Sequence, residues 1–409
     1  MSLTSRSALR KSDLRDANER LLLNIIRQDL GTSRADIVRI TGFSPSSVTF
    51  IVNRMIRDGL LSETISDGQL KVGRRPVILR LQPEALMAVG VEIARSETRV
   101  ALAGLDGKII KQRTVPWHPD ERAFLANVRA AIRKLALSVP ASRLLGVGVS
   151  VSGTVDHATG RVVAAEHLDW FEVDVGPILS AGIPATFHVE NDAKLRAVAE
   201  RWFCEPGSKP LENFVFVTFR HGLGTGVVIE GRLLHGAFGK AAEFGHTSLY
   251  PDGRRCICGG VGCWEEYASQ AALERLYAER LGSASPALGH GADTILRLAR
   301  NGDALALDVL RETATFIGMG FANLNSTFNP EAIVVGDYLA SGWDLMKEWV
   351  WETLRNRAAN RYLSRLRIIP SRHEGESALK GALALVLSHF FMAAASSNGN
   401  GSTENSILR

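Results

Sequence analysis

From Leu86 to Met392, β-type runs alternate with helical ones, and this alternation limits the possible folds more than any other feature of the chain. Leu144–Val151, Phe214–Phe219 and Ala332–Val335 are short, nearly unbroken apolar runs of the kind buried strands show. Helical periodicity fills Glu121–Leu137, Ala193–Phe203, Glu265–Leu281, Ala304–Phe328 and Ser377–Met392. Strands and helices in alternation predict stacked α/β layers. At 409 residues the chain exceeds one ordinary domain, and its 45% hydrophobic and 22% charged residues are those of a folded globular protein. The polar segment 396–409, rich in Ser, Asn and Gly, reads as a disordered tail.

The N-terminal segment follows a different pattern. Leu21, Leu22, Ile25 and Ile26 lie at helical spacing within Asn18–Asp29, and Gly31 closes that run. Ser33 caps a second helix, with Asp36 three positions on, Ile37 and Ile40 on the apolar face, and Gly42 at the end. Ser44 and Pro45 open a third helix as N-cap and first helical residue, with Val48, Ile51, Val52, Met55 and Ile56 facing inward. Its other face presents Ser46, Ser47, Thr49, Asn53, Arg54 and Arg57, side chains that can bond phosphates or read base edges. Two strand-like runs follow, Leu60–Ile65 and Leu70–Leu81, joined through the turn pair Asp67-Gly68. The second carries Gly73-Arg74-Arg75-Pro76, whose guanidinium groups on Arg74 and Arg75 suit a minor groove or phosphates. A winged helix-turn-helix is expected over 1–82, its third helix entering the major groove.

Charge agrees with that assignment. The net charge of +5 divides into +6 on residues 1–82 (14 basic, 8 acidic) and −1 on the rest. A basic head on a near-neutral body suits contact with a polyanion. A three-helix protein-interaction module shares the periodicity, but helix order, wing and charge together favour double-stranded DNA. The N-terminus is polar and basic, and no run approaches the apolar length of a membrane span; the longest candidate, Ala382–Ala395, is interrupted by Ser388 and His389. A cytoplasmic protein without membrane contact is expected.

Cys256, Cys258 and Cys263 fall within eight residues, whereas Cys204 stands alone. The glycines between them let the backbone fold tightly enough for three thiolates to converge, and His246 lies ten residues upstream. Three cysteines and one histidine make a closed, structural type of zinc site, and one Zn2+ per chain is expected. Two further motifs are weak alone. Glu190-Asn191-Asp192 heads a helix, where an N-cap is the ordinary role, and Glu243-Phe244-Gly245-His246 follows a glycine-rich stretch.

Taken together with Ser152-Gly153-Thr154-Val155-Asp156, the GRRP wing and Asn329-Pro330-Glu331, these motifs make the chain resemble the ROK family (repressors, open reading frames and sugar kinases), in its regulator branch. The resemblance runs from the winged helix to about Ala395. It implies a two-lobed actin/hexokinase-like (ribonuclease H-like) sugar-kinase fold over 83–395, with a carbohydrate held between the lobes, and a homodimer or dimer of dimers on an operator. The family's sugar contacts fall on Asn191, Asp192, Glu243, His246 and Glu265, with Asp192 where the kinases keep their base and His246 serving both metal and sugar.

Departures from the family pattern lie on the phosphate side. The kinases' Asp-x-Gly-Gly-Thr loop reads Glu92-Ile93-Ala94-Arg95-Ser96, the Gly-Thr-Gly loop reads Arg220-His221-Gly222, and the later Gly-Gly reads Gly336-Asp337. Side chains stand where glycine would admit phosphate to backbone N–H groups. A carbohydrate-sensing repressor with no catalytic residue is therefore expected, the alternative being an ATP-dependent sugar kinase with a DNA-binding head.

Overall fold

A computed structural model of the protein describes residues 11–28, 31–65, 77–205, 208–237, 239–282, 291–358, 363–373 and 375–392. The expected hairpin turn Asp67-Gly68, both wing arginines Arg74 and Arg75, and the tail 396–409 lie outside the described residues.

The head consists of α1 (Lys11–Gln28), α2 (Arg34–Thr41) and α3 (Pro45–Arg57), then the antiparallel pair β1 (Leu61–Ile65) and β2 (Val77–Leu81). Its helix ends are set locally. Ser33 and Asp36 form a reciprocal capping box, Gly42 ends α2 in the left-handed region at φ 70°, and the Ser44 hydroxyl accepts from the Ser47 N–H ahead of Pro45. Val48, Ile51, Val52 and Met55 are buried as expected. Ile40 is not: it is 52% exposed, because α2 meets its neighbours through Ile37 and its last turn faces outward.

The first lobe runs β3 (Met87–Ile93), β4 (Thr98–Gly104), β5 (Ile109–Val115), α4 (Glu121–Ala136), β6 (Leu144–Val151), a side sheet of β7 (Thr154–Asp156), β8 (Arg161–Ala165) and β9 (Trp170–Val173), then α5 (Val175–Ser180) and β10 (Phe187–Asn191). After α6 (Asp192–Trp202) the second lobe runs β11 (Phe214–Phe219), β12 (Leu223–Ile229), β13 (Arg232–Leu233), α7 (Glu265–Ala268), α8 (Gln270–Leu281), α9 (Ala292–Arg300), α10 (Ala304–Phe328), β14 (Ala332–Val335), α11 (Asp337–Ser341), α12 (Trp343–Arg357), β15 (Arg367–Pro370) and α13 (Ser377–Met392). The run Glu265–Leu281, expected as one helix, is two, because Ser269 takes an extended conformation and caps α8.

The two five-stranded sheets share one topology. In the order β10-β6-β3-β4-β5 the first three strands are parallel and the last two form an antiparallel meander; β15-β14-β11-β12-β13 repeats the arrangement. This duplicated mixed sheet is the two-lobed fold expected from the resemblance. Each lobe has its own core, and α6 and α13 pack between the sheets. Their approach depends on glycine: a Cβ on Gly148 would meet the Ala382 carbonyl oxygen at 1.9 Å, and one on Gly381 would meet that of Leu195 at 2.1 Å.

A third core crosses the expected boundary at 82/83. Leu22, Leu23, Val48 and Met55 of the head cluster with Trp202, Leu383, Leu387 and Phe391 of the body. The Arg27 guanidinium lies 3.8 Å over the Trp202 ring and donates to its carbonyl at 3.1 Å. The head is therefore joined to α13 by apolar packing as well as by the chain. Among the described residues, no helix is long and apolar enough to cross a membrane.

Candidate functional site

At the end of β10, the strand-to-helix turn places Asn191 and Asp192 on the rim of the interlobe cleft. Asn191 caps α6, its side-chain oxygen accepting from the Lys194 N–H at 3.1 Å while its amide donates to the Gly153 carbonyl at 2.8 Å. Both ends of the Asn191 amide are thus held within the chain, which fixes the turn that carries Asp192. Asp192 is followed one turn later by Arg196, 3.8 Å away.

The opposing wall comes from the second lobe. Gly245 lets the Glu243–His246 turn lie flat on β12, since a Cβ there would stand 2.0 Å from the Leu223 carbonyl oxygen. Glu243 and His246 are exposed to the cleft. Glu265, at the start of α7, accepts from the Leu223 N–H at 2.7 Å. Asp192, Glu243, His246 and Glu265 are close enough to influence one another electrostatically. Burial pushes the Glu243 carboxyl above the usual carboxylate range, Lys194 and His246 pull it down, and Asp192 and Glu265 raise it further. Burial also raises Glu265, opposed by its bond from Leu223 and by His246.

Behind this wall stands the cysteine knuckle. One ligand atom each from His246, Cys256, Cys258 and Cys263 falls within 4.8 Å of all the others. Cys256 Sγ is 3.6 Å from His246 Nδ1, and Cys258 Sγ is 3.6 Å from Cys263 Sγ. Two sulfurs each about 2.3 Å from a tetrahedral zinc stand roughly 3.7 Å apart, so the spacing fits that ion. Gly260 lies against the sulfurs, where a Cβ would make a tight 3.3 Å contact with each of Cys258 and Cys263. Burial raises the Cys256 and Cys263 thiols, which makes two neutral, inert cysteines unless a metal deprotonates them. Cys256 Sγ also lies 3.8 Å from Glu265 Oε1, so knuckle and cleft wall are contiguous. The knuckle rests on fully buried Trp264, whose indole N–H donates to the Phe316 carbonyl at 3.0 Å.

At the other end of the cleft the side chains satisfy each other. Asp337 accepts from the Phe219 N–H at 2.9 Å and from the Thr218 hydroxyl at 2.5 Å. Arg220 stands 3.8 Å from Glu92 and 3.9 Å from Asp337, bridging the lobes, and Arg196 is 3.7 Å from Asp337. Glu92 also holds Arg99 at 2.5 Å. Arg95 turns away, donating to the His167 carbonyl at 2.8 Å. The remaining cavity, about 280 Å³, is lined by Arg196, Arg220, Asp337 and Ser377 among others.

On the head, Ser46, Ser47, Thr49, Asn53 and Arg57 are exposed along one face of α3. Arg54 differs: it is half-buried and ion-paired to Glu19 of α1. Arg34 of α2 braces the face, donating to Asn53 Oδ1 at 2.7 Å and to Glu63 at 2.9 Å. Sequence reasoning overlooked Phe50, which is 64% exposed; its place off the stripe of Val48, Ile51, Val52 and Met55 was the available signal.

Comparison with known proteins accounts for the two parts of the fold. Residues 15–62 match a winged helix-turn-helix DNA-binding model, and residues 88–389 match the ROK family model. The xylose repressor of Caldicellulosiruptor bescii is 26% identical over 393 residues, which covers 92% of this chain and 96% of the relative. The crystal structure of a ROK family transcriptional regulator, a homologue of the Escherichia coli MLC protein, superposes with a TM-score of 0.79 at 25% identity, covering 94% of this chain and 98% of that one. A ROK family glucokinase from Streptomyces griseus, solved with glucose and AMPPNP, gives a TM-score of 0.64 at 28% identity, covering 73% of this chain and 98% of the kinase. With a family model spanning most of its length behind a winged head, this chain belongs to the ROK family.

Proposed function

We propose that this chain is a sugar-responsive DNA-binding repressor of carbohydrate-use genes, acting in the cytoplasm as a homodimer or dimer of dimers and without sugar-kinase activity. One observation carries this reading. Glu243 and His246 are exposed on one wall of the cleft, with Asp192 and Glu265 near enough to bear on the Glu243 charge and Asn191 capping α6 next to Asp192, while Arg220, Glu92 and Asp337 at its other end are paired with each other. A sugar offers several hydroxyls, and carboxylates accept from them in charge-assisted hydrogen bonds. Zinc held by His246, Cys256, Cys258 and Cys263 would fix the His246 ring, leaving Nε2 for a sugar hydroxyl. Its role is structural, and it also orients Glu265.

Kinase chemistry would need phosphate to reach backbone N–H groups. Here the Asp337 carboxylate occupies the Phe219 N–H, and the Arg220 bridge between Glu92 and Asp337 lies across the same end. Sugar binding shifts operator affinity only by its preference for one lobe arrangement, passed to the head through β2 and the α1–α13 core.

The test is operator titration at several salt concentrations, with and without a sugar found by thermal-shift screening. Asn53→Ala and Ser47→Ala should relax preference at particular bases, and Arg74→Ala should weaken every sequence alike. Point variants are cleaner than removing 1–82, which would uncover Leu387 and Phe391. Unchanged operator affinity and preference in all three variants would remove the DNA-reading assignment.

A further inference from the structure

Among the described residues, the knuckle and the proposed sugar cleft leave one metal-competent cluster unused. His157 in the β7–β8 turn, Glu190 in β10 and His235, two residues beyond β13, each turn a ligand atom toward a common point, all within 4.8 Å of one another. His235 Nε2 stands 2.8 Å from Glu190 Oε2, a hydrogen bond whose proton an ion would replace, the two atoms keeping about this separation around an octahedral ion or opening to roughly 3.4 Å around a tetrahedral one. The His157 and His235 rings stack with centroids 4.2 Å apart and planes 28° apart. Histidine χ2 is a broad torsion, so modest ring rotations turn one nitrogen from each onto the same ion.

The two oxygens of Glu190 have separate surroundings. Its side chain is 2% exposed, Oε1 accepts from the Asn191 N–H at 2.8 Å, and Lys194 Nζ lies 4.0 Å from Oε1 while donating to the Gly239 carbonyl. Oε2 faces His235. On the outer side His157 is exposed and His235 is 31% exposed, so water can complete a coordination shell. Two imidazoles and one carboxylate with open positions suit borderline divalent ions such as Zn2+, Co2+ or Ni2+ better than Mg2+ or Ca2+. The nearby Lys194 charge opposes a dication, which argues for exchangeable rather than permanent binding.

We propose that His157, Glu190 and His235 form a second, exchangeable transition-metal site, separate from the cysteine knuckle. It clips the first lobe, through His157 and Glu190, to the segment of the second lobe that leads into Glu243. The approach is already close, since a Cβ on Gly239 would stand 2.8 Å from the Val155 carbonyl oxygen.

The experiment uses full-length, tag-free protein with the knuckle loaded with zinc and free metal removed, titrated with Co2+ by calorimetry and visible spectroscopy. A second equivalent should bind with a dissociation constant on the order of micromolar and show d–d bands without thiolate-to-cobalt charge transfer. His157→Ala and His235→Gln should each weaken it by roughly tenfold or more while elemental analysis still finds the knuckle zinc. His157 is exposed, so its variant keeps the test valid should His235→Gln fold poorly. Absence of a second equivalent, or its full retention in His157→Ala, overturns the proposal and leaves the cluster a stacked histidine pair hydrogen-bonded to Glu190 through His235.

Discussion

At one end of the cleft, Glu243 and His246 face outward, and Asp192 has a single cation 3.8 Å away. At the other, Arg220, Glu92 and Asp337 draw together across the lobes, and Asp337 also takes a backbone N–H. Both ends are rich in charge, so composition does not separate them. The difference is whether each group's bonding capacity is already used within the chain. Polar groups held in place with open capacity can exchange water for a ligand, whereas groups that satisfy each other offer less to one. On the proposed function, a kinase-like body keeps its recognition half and gives up its phosphate half without changing fold.

The largest effect should come from removing the support behind the open end. Cys263→Ser is expected to release the knuckle metal, taking zinc from one per chain to none by elemental analysis, and to abolish the sugar-induced thermal shift. Full zinc retention in that variant would remove Cys263 from the ligand set, and an unchanged sugar-induced shift after zinc loss would detach the knuckle from the cleft wall. Next, Glu243→Ala and Asp192→Ala should each cost about 1.5–3 kcal/mol of sugar affinity while operator affinity without sugar stays at the wild-type value. A wild-type response to sugar in both would place the effector elsewhere.

A smaller effect is expected at the joint between head and body. Arg27→Ala removes a guanidinium from the Trp202 ring, a contact worth about 1–2 kcal/mol when partly desolvated. Operator binding should persist, and the ratio of affinities with and without sugar should shrink; an unchanged ratio would leave β2 as the route between the halves. The smallest effect belongs to the closed end. Arg220→Ala should leave sugar affinity within about threefold, and neither it nor the wild type should hydrolyse ATP when sugar is present. Sugar-dependent turnover that disappears in Asp192→Asn would invert the comparison and make the body an enzyme.

Much of this was legible in the chain because the signals are short-range. The caps at Ser33, Gly42 and Ser44, and the strands Leu144–Val151, Phe214–Phe219 and Ala332–Val335, follow from neighbours a few residues apart. The knuckle announced itself because its ligands span only residues 246–263. The sugar set was reached through family motifs, since taken singly each piece reads as a cap or a solvated carboxylate.

Other features depend on partners far along the chain, and local pattern has no access to them. The repeat of the sheet topology leaves no sequence period, because strand order follows from which surfaces bury each other. Arg54 looked like a DNA contact until α1 brought Glu19 to it, and Arg220 and Asp337, 117 positions apart, became one bridge only when β11 and α11 met. The same holds for His157, Glu190 and His235, which three separate elements deliver to one point. Sequence by itself determined the elements and the cysteine–histidine knuckle, because caps, periodicity and close spacing act within a few turns of chain, whereas the proposed sugar set came only from the family resemblance. The tertiary structure alone decided which charges remain open to a ligand and which neutralise each other, because that depends on the distances at which long-range packing sets them.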